Sequence, residues 1–178
     1  ETPWRLFRPA PRLGEYTDDL LASVADAPKR SRTRRSRRLT SLPLEAIRVT
    51  DLTRALVGPY ATRQLADFGA DVIKVESGLF DIYRNQITSP TMPELNRNKL
   101  SITVDLHTGE GQDLVRKLIK VSDVVAENYA PGALERWGLD YDNVREVKPD
   151  IVYLSVSGFG QTGPSSSYVA WGRQATSA

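Results

Sequence analysis

From residue 42 onward the chain alternates short apolar runs with stretches of helical spacing. Residues 47–52 form a compact run containing Ile47, Val49 and Leu52, which reads as a strand. Residues 59–68 follow with apolar positions at helical intervals behind a Gly58-Pro59 opening, and residues 71–75 return to a strand rich in valine and isoleucine. Gly69 stands where a helix gives way to the next strand, and its freedom at positive φ suits that ending. The same alternation resumes with a helix over 109–121, a strand over 123–127, short helices over 133–137 and 141–147, and a strand over 151–156. Strands of this composition separated by helices predict an α/β domain, a parallel sheet with helices on both faces and right-handed crossovers.

Each predicted strand ends in a polar or small cluster. Thr53 and Arg54 lead to Gly58; Glu76, Ser77 and Gly78 follow the second strand; Asn128, Tyr129, Ala130, Pro131 and Gly132 follow the third; and SGFGQTGP closes the last. Any one of these is an ordinary turn. Together they mark the carboxyl edge of the sheet, where parallel α/β folds gather ligands. The first turn lacks G-x-G-x-x-G and the chain lacks G-x-x-x-x-G-K-[ST], which argues against a nicotinamide cofactor and against a P-loop nucleotide hydrolase. Arg54, Lys74, Arg84, Arg97, Lys99 and Arg136 lie near these edges, and most are expected to be solvated. Arg136 is the favoured phosphate partner, because it follows the 128–132 turn at a predicted helix start. His107, the single histidine, falls in a polar turn and divides evenly between a surface role and a ligand contact.

Residues 1–26 join a proline-punctuated extended piece to a short amphipathic helix, with Thr17 as the expected N-cap and Leu20, Leu21 and Val24 on one face. So short a piece must pack on something else or stay loose. Residues 27–41 hold Lys29, Arg30, Arg32, Arg34, Arg35, Arg37 and Arg38 with almost nothing apolar, the composition of a disordered linker. Removing those seven positive charges from a net charge of +2 leaves −5, so the rest of the chain is mildly acidic and offers no electrostatic case for nucleic acid. A nucleic-acid or anionic-membrane arm is the weaker reading of the same arginines. The absence of cysteine excludes disulfides, thiolate metal sites and cysteine nucleophiles, and fits a cytoplasmic setting. No signal-type apolar core opens the chain, and no apolar run approaches the roughly 20 residues that span a bilayer.

Three stretches together resemble one family. They are LPLEAIRVTDLTRALVGPYATRQLADFGADVIKVES, LNRNKLSITVDLHTGEGQDLV and DVVAENYAPGALERWGLDYDNVREVKPDIVYLSVSGFGQTGP, in one order over residues 42–164. They are similar to the class III (CaiB/BaiF-type) coenzyme A transferases, which form interlocked homodimers around a Rossmann-like sheet. The N-terminal RPAPRLGEYTDDLLASV resembles the tail that closes those enzymes. The resemblance therefore implies three parts: residues 1–26 ending one module, a basic linker over 27–41, and residues 42–178 opening the large domain of a second, incomplete one.

The activity the resemblance implies is coenzyme A transfer from an acyl-CoA to a carboxylic acid through an aspartyl anhydride and thioester, without metal. In the family the aspartate lies past a Gln-Ala-x-Ser-Gly segment that corresponds to residues 174–178, so the nucleophile is expected beyond the chain's end. Asp51, Asp71, Asp105 and Asp123 are expected to orient turns and Asp142 to cap a helix. Coenzyme A contacts carry over to Leu56 and Val57, to Val104, Asp105, Leu106 and His107, to Asn128, Tyr129 and Ala130, and to Arg136. His107 replaces a lysine of formyl-CoA transferase, and Gly78 replaces an arginine. The racemase branch needs a histidine base near the position of Trp171, which favours transfer over racemisation. A non-catalytic binding module with a basic arm is the alternative from a different class.

Overall fold

A computed structural model describes residues 5–25, 42–78, 91–168 and 170. The expected linker over 27–41, Arg84, Trp171 and residues 174–178 lie outside them. Five parallel strands are present among the described residues: β1 (Arg48–Asp51), β2 (Asp71–Glu76), β3 (Leu100–Thr103), β4 (Val124–Glu127) and β5 (Val152–Ser155). Their order is β3-β2-β1-β4-β5, so the chain winds outward from β1 in one direction and then restarts on its other side with β4. In register, Thr50 stands opposite Ile73 on one side and Val125 on the other.

Helices cover both faces. Helix α1 (Thr17–Ala25), α4 (Gly109–Lys120) and α5 (Tyr141–Val147) flank the main core, where Leu20, Val115, Leu118, Ile119 and Val144 meet Ile73, Ile102 and Val125. Helix α2 (Val57–Asp67) covers the opposite face, packing Ala66 on Val49 and Val72, with α3 (Thr91–Asn96) beside it. Neighbouring strand positions point to opposite faces, so Val72 belongs to one core and Ile73 to the other. None of the helices among the described residues is long and apolar enough to cross a membrane.

The α/β fold expected from the sequence is present, with informative differences in detail. Strand β3 and helix α3 were not foreseen. Helix α3 is six residues long and carries Pro93 near its start, and β3 reads LSIT behind the polar run Asn96, Arg97, Asn98 and Lys99, so neither shows sustained periodicity. Thr17 is the first residue of α1, and its hydroxyl accepts a bond from the Thr103 N–H at 3.1 Å. Asp140, not Asp142, occupies the N-cap of α5. The 133–137 helix is reduced to a three-residue 3₁₀ turn, Glu135–Trp137, closed by Gly138 at φ 60°. Gly69, at φ 100°, ends α2 as its sequence position implied.

Residues 5–25 do not stay loose. They lie along β3, the outer strand of the sheet, and Leu20 enters the main core.

Candidate functional site

The winding reverses between β1 and β4, and a small recess of about 10 Å³ lies there above the carboxyl ends of β1, β2 and β4. It is lined by Thr53, Arg54, Lys74, Val75, Glu76, Ser77 and Tyr129. A reversal of winding parts the loops of neighbouring strands and leaves room for a ligand.

A buried ionic cluster shapes the first wall. On the α2 face, Val49 and Val72 are succeeded toward the strand ends by Asp51 and Lys74, with Lys99 arriving from the start of β3; all three are fully or almost fully buried. The Lys99 ammonium donates to Asp51 Oδ2 at 3.0 Å, Thr62 Oγ1 at 2.8 Å, the Pro59 carbonyl at 3.0 Å and Asn96 Oδ1 at 3.1 Å. Asp51 Oδ1 accepts from the Thr53 N–H and hydroxyl, and Oδ2 accepts from Thr62. Lys74 donates to the Thr53 carbonyl at 2.8 Å. These bonds hold the β1–α2 turn by its backbone. The turn needs that hold, because Ala55 sits at φ 61°, where side chains are disfavoured. Of the six basic residues near the edges, most of them expected to be solvated, Lys74 and Lys99 are instead buried. Their ammonium groups are placed against a carboxylate, one hydroxyl and several carbonyl oxygens that satisfy them inside the protein.

Burial raises the cost of charge throughout this cluster. It pushes Lys99 down to about 8, with Asp51 pulling the other way. For Asp51 burial acts to raise the pKa, but Lys99, Lys74 and the hydroxyls of Thr53 and Thr62 together hold it below the ordinary carboxylate value. The native Lys99 thus releases its proton at lower pH than the unfolded chain does. Below about pH 8 both states hold that proton and the burial penalty is complete; above it the penalty is relieved until the unfolded lysine also titrates. Denaturant midpoints measured from pH 7.5 to 9.5 should therefore rise with pH through this group, and Lys99→Met should flatten that rise.

The second wall is the turn after β4. Asn128 reaches across to the first turn, its Oδ1 accepting from the Arg54 N–H at 2.6 Å and its Nδ2 donating to the Arg54 carbonyl at 2.7 Å. Gly58 makes this approach possible, since a Cβ there would come within 2.5 Å of Thr53 and 3.0 Å of Asn128. Glu127 accepts from the Tyr129 N–H at 2.7 Å and from the Ser155 hydroxyl, tying the ends of β4 and β5 together. Burial raises the Glu127 pKa, and those two bonds oppose it.

Aromatic rings extend the recess toward α4. The Arg54 guanidinium lies 5.7 Å from the centre of Tyr129, Tyr129 meets Trp137 edge-on at 5.8 Å, and Trp137 meets His107 at 5.7 Å. Asp105 receives the His107 N–H at 2.9 Å and faces its Nδ1 at 3.1 Å, in the open. Thr108 caps α4 by accepting from the Gly111 N–H at 3.0 Å.

The sequence-derived residues thus fall into distinct settings. Leu56 and Val57 are exposed on the first turn, Val104 and Leu106 are buried beneath the turn before α4, and Asp105, His107, Ala130 and Arg136 face solvent. Tyr129 is half-buried at the centre. Arg136 lies on the 3₁₀ turn, not at the start of a longer helix. Trp137 went unrecognised as part of this edge, and Lys74 and Lys99, though placed near it, went unrecognised as buried partners of the Asp51 turn. The signal for the cluster was a lysine inside the apolar strand run of residues 71–75, which requires a buried partner. Among the described residues no group of three or more histidines or carboxylates is arranged to hold a metal ion.

Comparison with known proteins places this edge in context. A sequence model of CoA-transferase family III matches residues 44–178. Succinyl-CoA--D-citramalate CoA-transferase of Chloroflexus aurantiacus is 44% identical over 137 residues, covering 73% of this chain and 34% of that protein. Human succinyl-CoA:glutarate CoA-transferase is 44% identical over 131 residues, covering 70% of this chain and 30% of that one. Among solved structures, a CAIB/BAIF family protein from Brucella suis superposes with a TM-score of 0.67 at 38% identity, over 74% of this chain and 37% of its own. A hypothetical protein from Mycobacterium tuberculosis gives 0.70 at 38% identity, with the same coverage. The chain spans about a third of the length of the curated relatives it matches. On the match over residues 44–178 and the shared parallel sheet, the chain belongs to CoA-transferase family III.

Proposed function

We propose that this chain carries the coenzyme A-binding part of an acyl-CoA:carboxylate CoA-transferase. The observation that carries the reading is the convergence of three separate sequence stretches, residues 53–58, 104–107 and 128–130, on one edge where the sheet reverses its winding. Leu56 and Val57 offer exposed apolar surface, Tyr129 with Trp137 and His107 offers ring faces and edges, and Arg136 and Arg54 offer cationic groups for phosphate. Coenzyme A, with its adenine, phosphates and apolar arm, matches that mixture. The relatives named for succinyl-CoA and formyl-CoA transfer support an acyl-CoA and a carboxylic acid as the substrates.

In the proposed reaction an aspartate attacks the thioester carbonyl, the C–S bond breaks, and coenzyme A leaves as thiolate. The thiolate then attacks the aspartyl carbonyl of the resulting anhydride and expels the donor acid. The acceptor carboxylate attacks the aspartyl thioester and expels the thiolate, which then attacks the acceptor carbonyl of the new anhydride, giving the acceptor's coenzyme A thioester and free aspartate. Asp51, Asp71, Asp105 and Asp123 are each committed to structural partners, which supports a nucleophile from elsewhere in the full protein. Docking of residues 5–25 on β3 fits an origin of 1–26 as the end of a preceding module and of 42–178 as the opening of a second. Val152 and Leu154 are 60% and 37% exposed on β5, which supports further protein, including a second subunit of a homodimer, over that face.

Calorimetric titration of the chain with coenzyme A is expected to show saturable binding. Arg136→Glu should weaken it about tenfold or more through the loss of a charge-assisted contact and the gain of a like charge. Absence of saturable binding would refute the reading.

A further inference from the structure

Strand β3 ends the sheet on one side, and its outer edge is covered by residues of the segment 5–25. An uncovered parallel edge would present a row of unpaired backbone groups. The cover is made by hydrogen bonds that read a peptide backbone. Asn98 is the centre: its Oδ1 accepts from the N–H groups of Phe7 at 2.9 Å and Arg8 at 2.8 Å, and its Nδ2 donates to the Arg5 carbonyl at 2.7 Å. Its own N–H donates to the Arg8 carbonyl at 2.9 Å. Asn98 is buried and held at φ 65°, with Asp67 Oδ1 fixing its amide at 2.8 Å and Arg97 in turn fixing Asp67 at 2.7 Å.

Further along, the Gly14 N–H donates to Ser101 Oγ at 3.1 Å, the Tyr16 N–H donates to the Ser101 carbonyl at 3.0 Å, and Thr17 Oγ1 accepts from the Thr103 N–H at 3.1 Å. Leu20 then anchors the segment in the core. An extended piece read through its backbone, followed by an amphipathic helix with one apolar anchor, combines two recurring modes of peptide recognition.

We propose that this edge is a docking site for segment 5–25 as a separable peptide, so that it accepts the segment from a second copy of the chain as well as from its own. Every bond between segment and edge is non-covalent, and the two are joined only through residues 26–41. Belonging to the same chain gives the resident segment an effective concentration on the order of millimolar. The second copy is therefore excluded whenever the resident segment is intact, and is admitted when it is not.

Two variants of the 178-residue chain test this. Leu20→Asp impairs the segment and leaves the edge unchanged. Asn98→Gly impairs the edge, keeps the segment, and suits the positive φ. A fluorescent synthetic peptide of residues 1–25 should bind the Leu20→Asp chain saturably and raise its melting temperature, and should bind the Leu20→Asp/Asn98→Gly chain at least tenfold more weakly. Mixing the Leu20→Asp and Asn98→Gly chains should give a one-to-one complex on size exclusion that neither chain forms alone. If Leu20→Asp does not fold, Leu20→Ala takes its place in the same assays. Failure of the peptide to bind, equal binding with and without the Asn98 amide, or no complex in the mixture would each overturn the proposal.

Discussion

Replacing Asp51 with alanine should cost about 3–5 kcal/mol of stability, read as a large fall in the guanidinium midpoint. Asp51 is the carboxylate that both buried lysines face, and Lys99 lies 3.0 Å from its Oδ2 with no exposed surface on either side chain. The alanine variant leaves the Lys99 amine in the interior without the carboxylate that opposes its burial, and leaves the Thr53 N–H without its acceptor. The whole pair has a smaller net value than that figure, since drawing two charges out of water offsets most of their attraction. Removing both charges with Asp51→Asn and Lys99→Met should therefore be milder than Asp51→Ala. Combined with each single substitution, it yields the coupling energy of the pair. A loss below about 1 kcal/mol for Asp51→Ala would show that Thr62, Asn96 and the Pro59 carbonyl hold Lys99 unaided.

The same cluster shows where sequence reasoning reached and where it stopped. Strands β1, β2, β4 and β5 are legible because valine and isoleucine recur in short runs bounded by turn residues, and α4 is legible from an apolar stripe behind a threonine cap. Which strands are neighbours is set by tertiary packing, and no local pattern encodes that β4 returns to the side of β1 away from β2. Lys99 illustrates the consequence. Its sequence neighbours Asn96, Arg97 and Asn98 suggest a solvated turn, yet the sheet order brings β3 beside β2, and Lys99 then reaches under the strand ends to Asp51. Asn98 was unreadable for a related reason, because its partners are backbone groups about ninety residues earlier in the chain. Family resemblance located the ligand edge by its motifs; it carried no information about the buried charges that shape it.

Gly111→Ala should deform the ligand edge although Gly111 is not itself among the residues assigned to it. Gly111 lies in the first turn of α4, and a Cβ there would sit 2.0 Å from the Asp105 carbonyl oxygen and 2.8 Å from its carbon. Both are backbone atoms, so relief requires the whole turn over residues 105–108 to move. That turn is also gripped by Thr108, whose hydroxyl donates to the Asp105 carbonyl at 2.9 Å, and by Gln112, which donates to the Leu106 carbonyl at 3.0 Å. The gain in helix propensity from alanine, about 1 kcal/mol, opposes the clash but does not exceed it; a net loss of about 1–3 kcal/mol is expected in denaturant unfolding. If the 104–107 segment holds coenzyme A as proposed, displacement of Asp105 and His107 should also weaken coenzyme A binding by about tenfold. Gly109→Ala is the matched control, since its Cβ would meet nothing within 4 Å, and it should leave stability within about 0.5 kcal/mol and binding unchanged. Equal effects of the two substitutions would mean that the helix start adapts freely and that the close approach of Gly111 to Asp105 does not constrain the site.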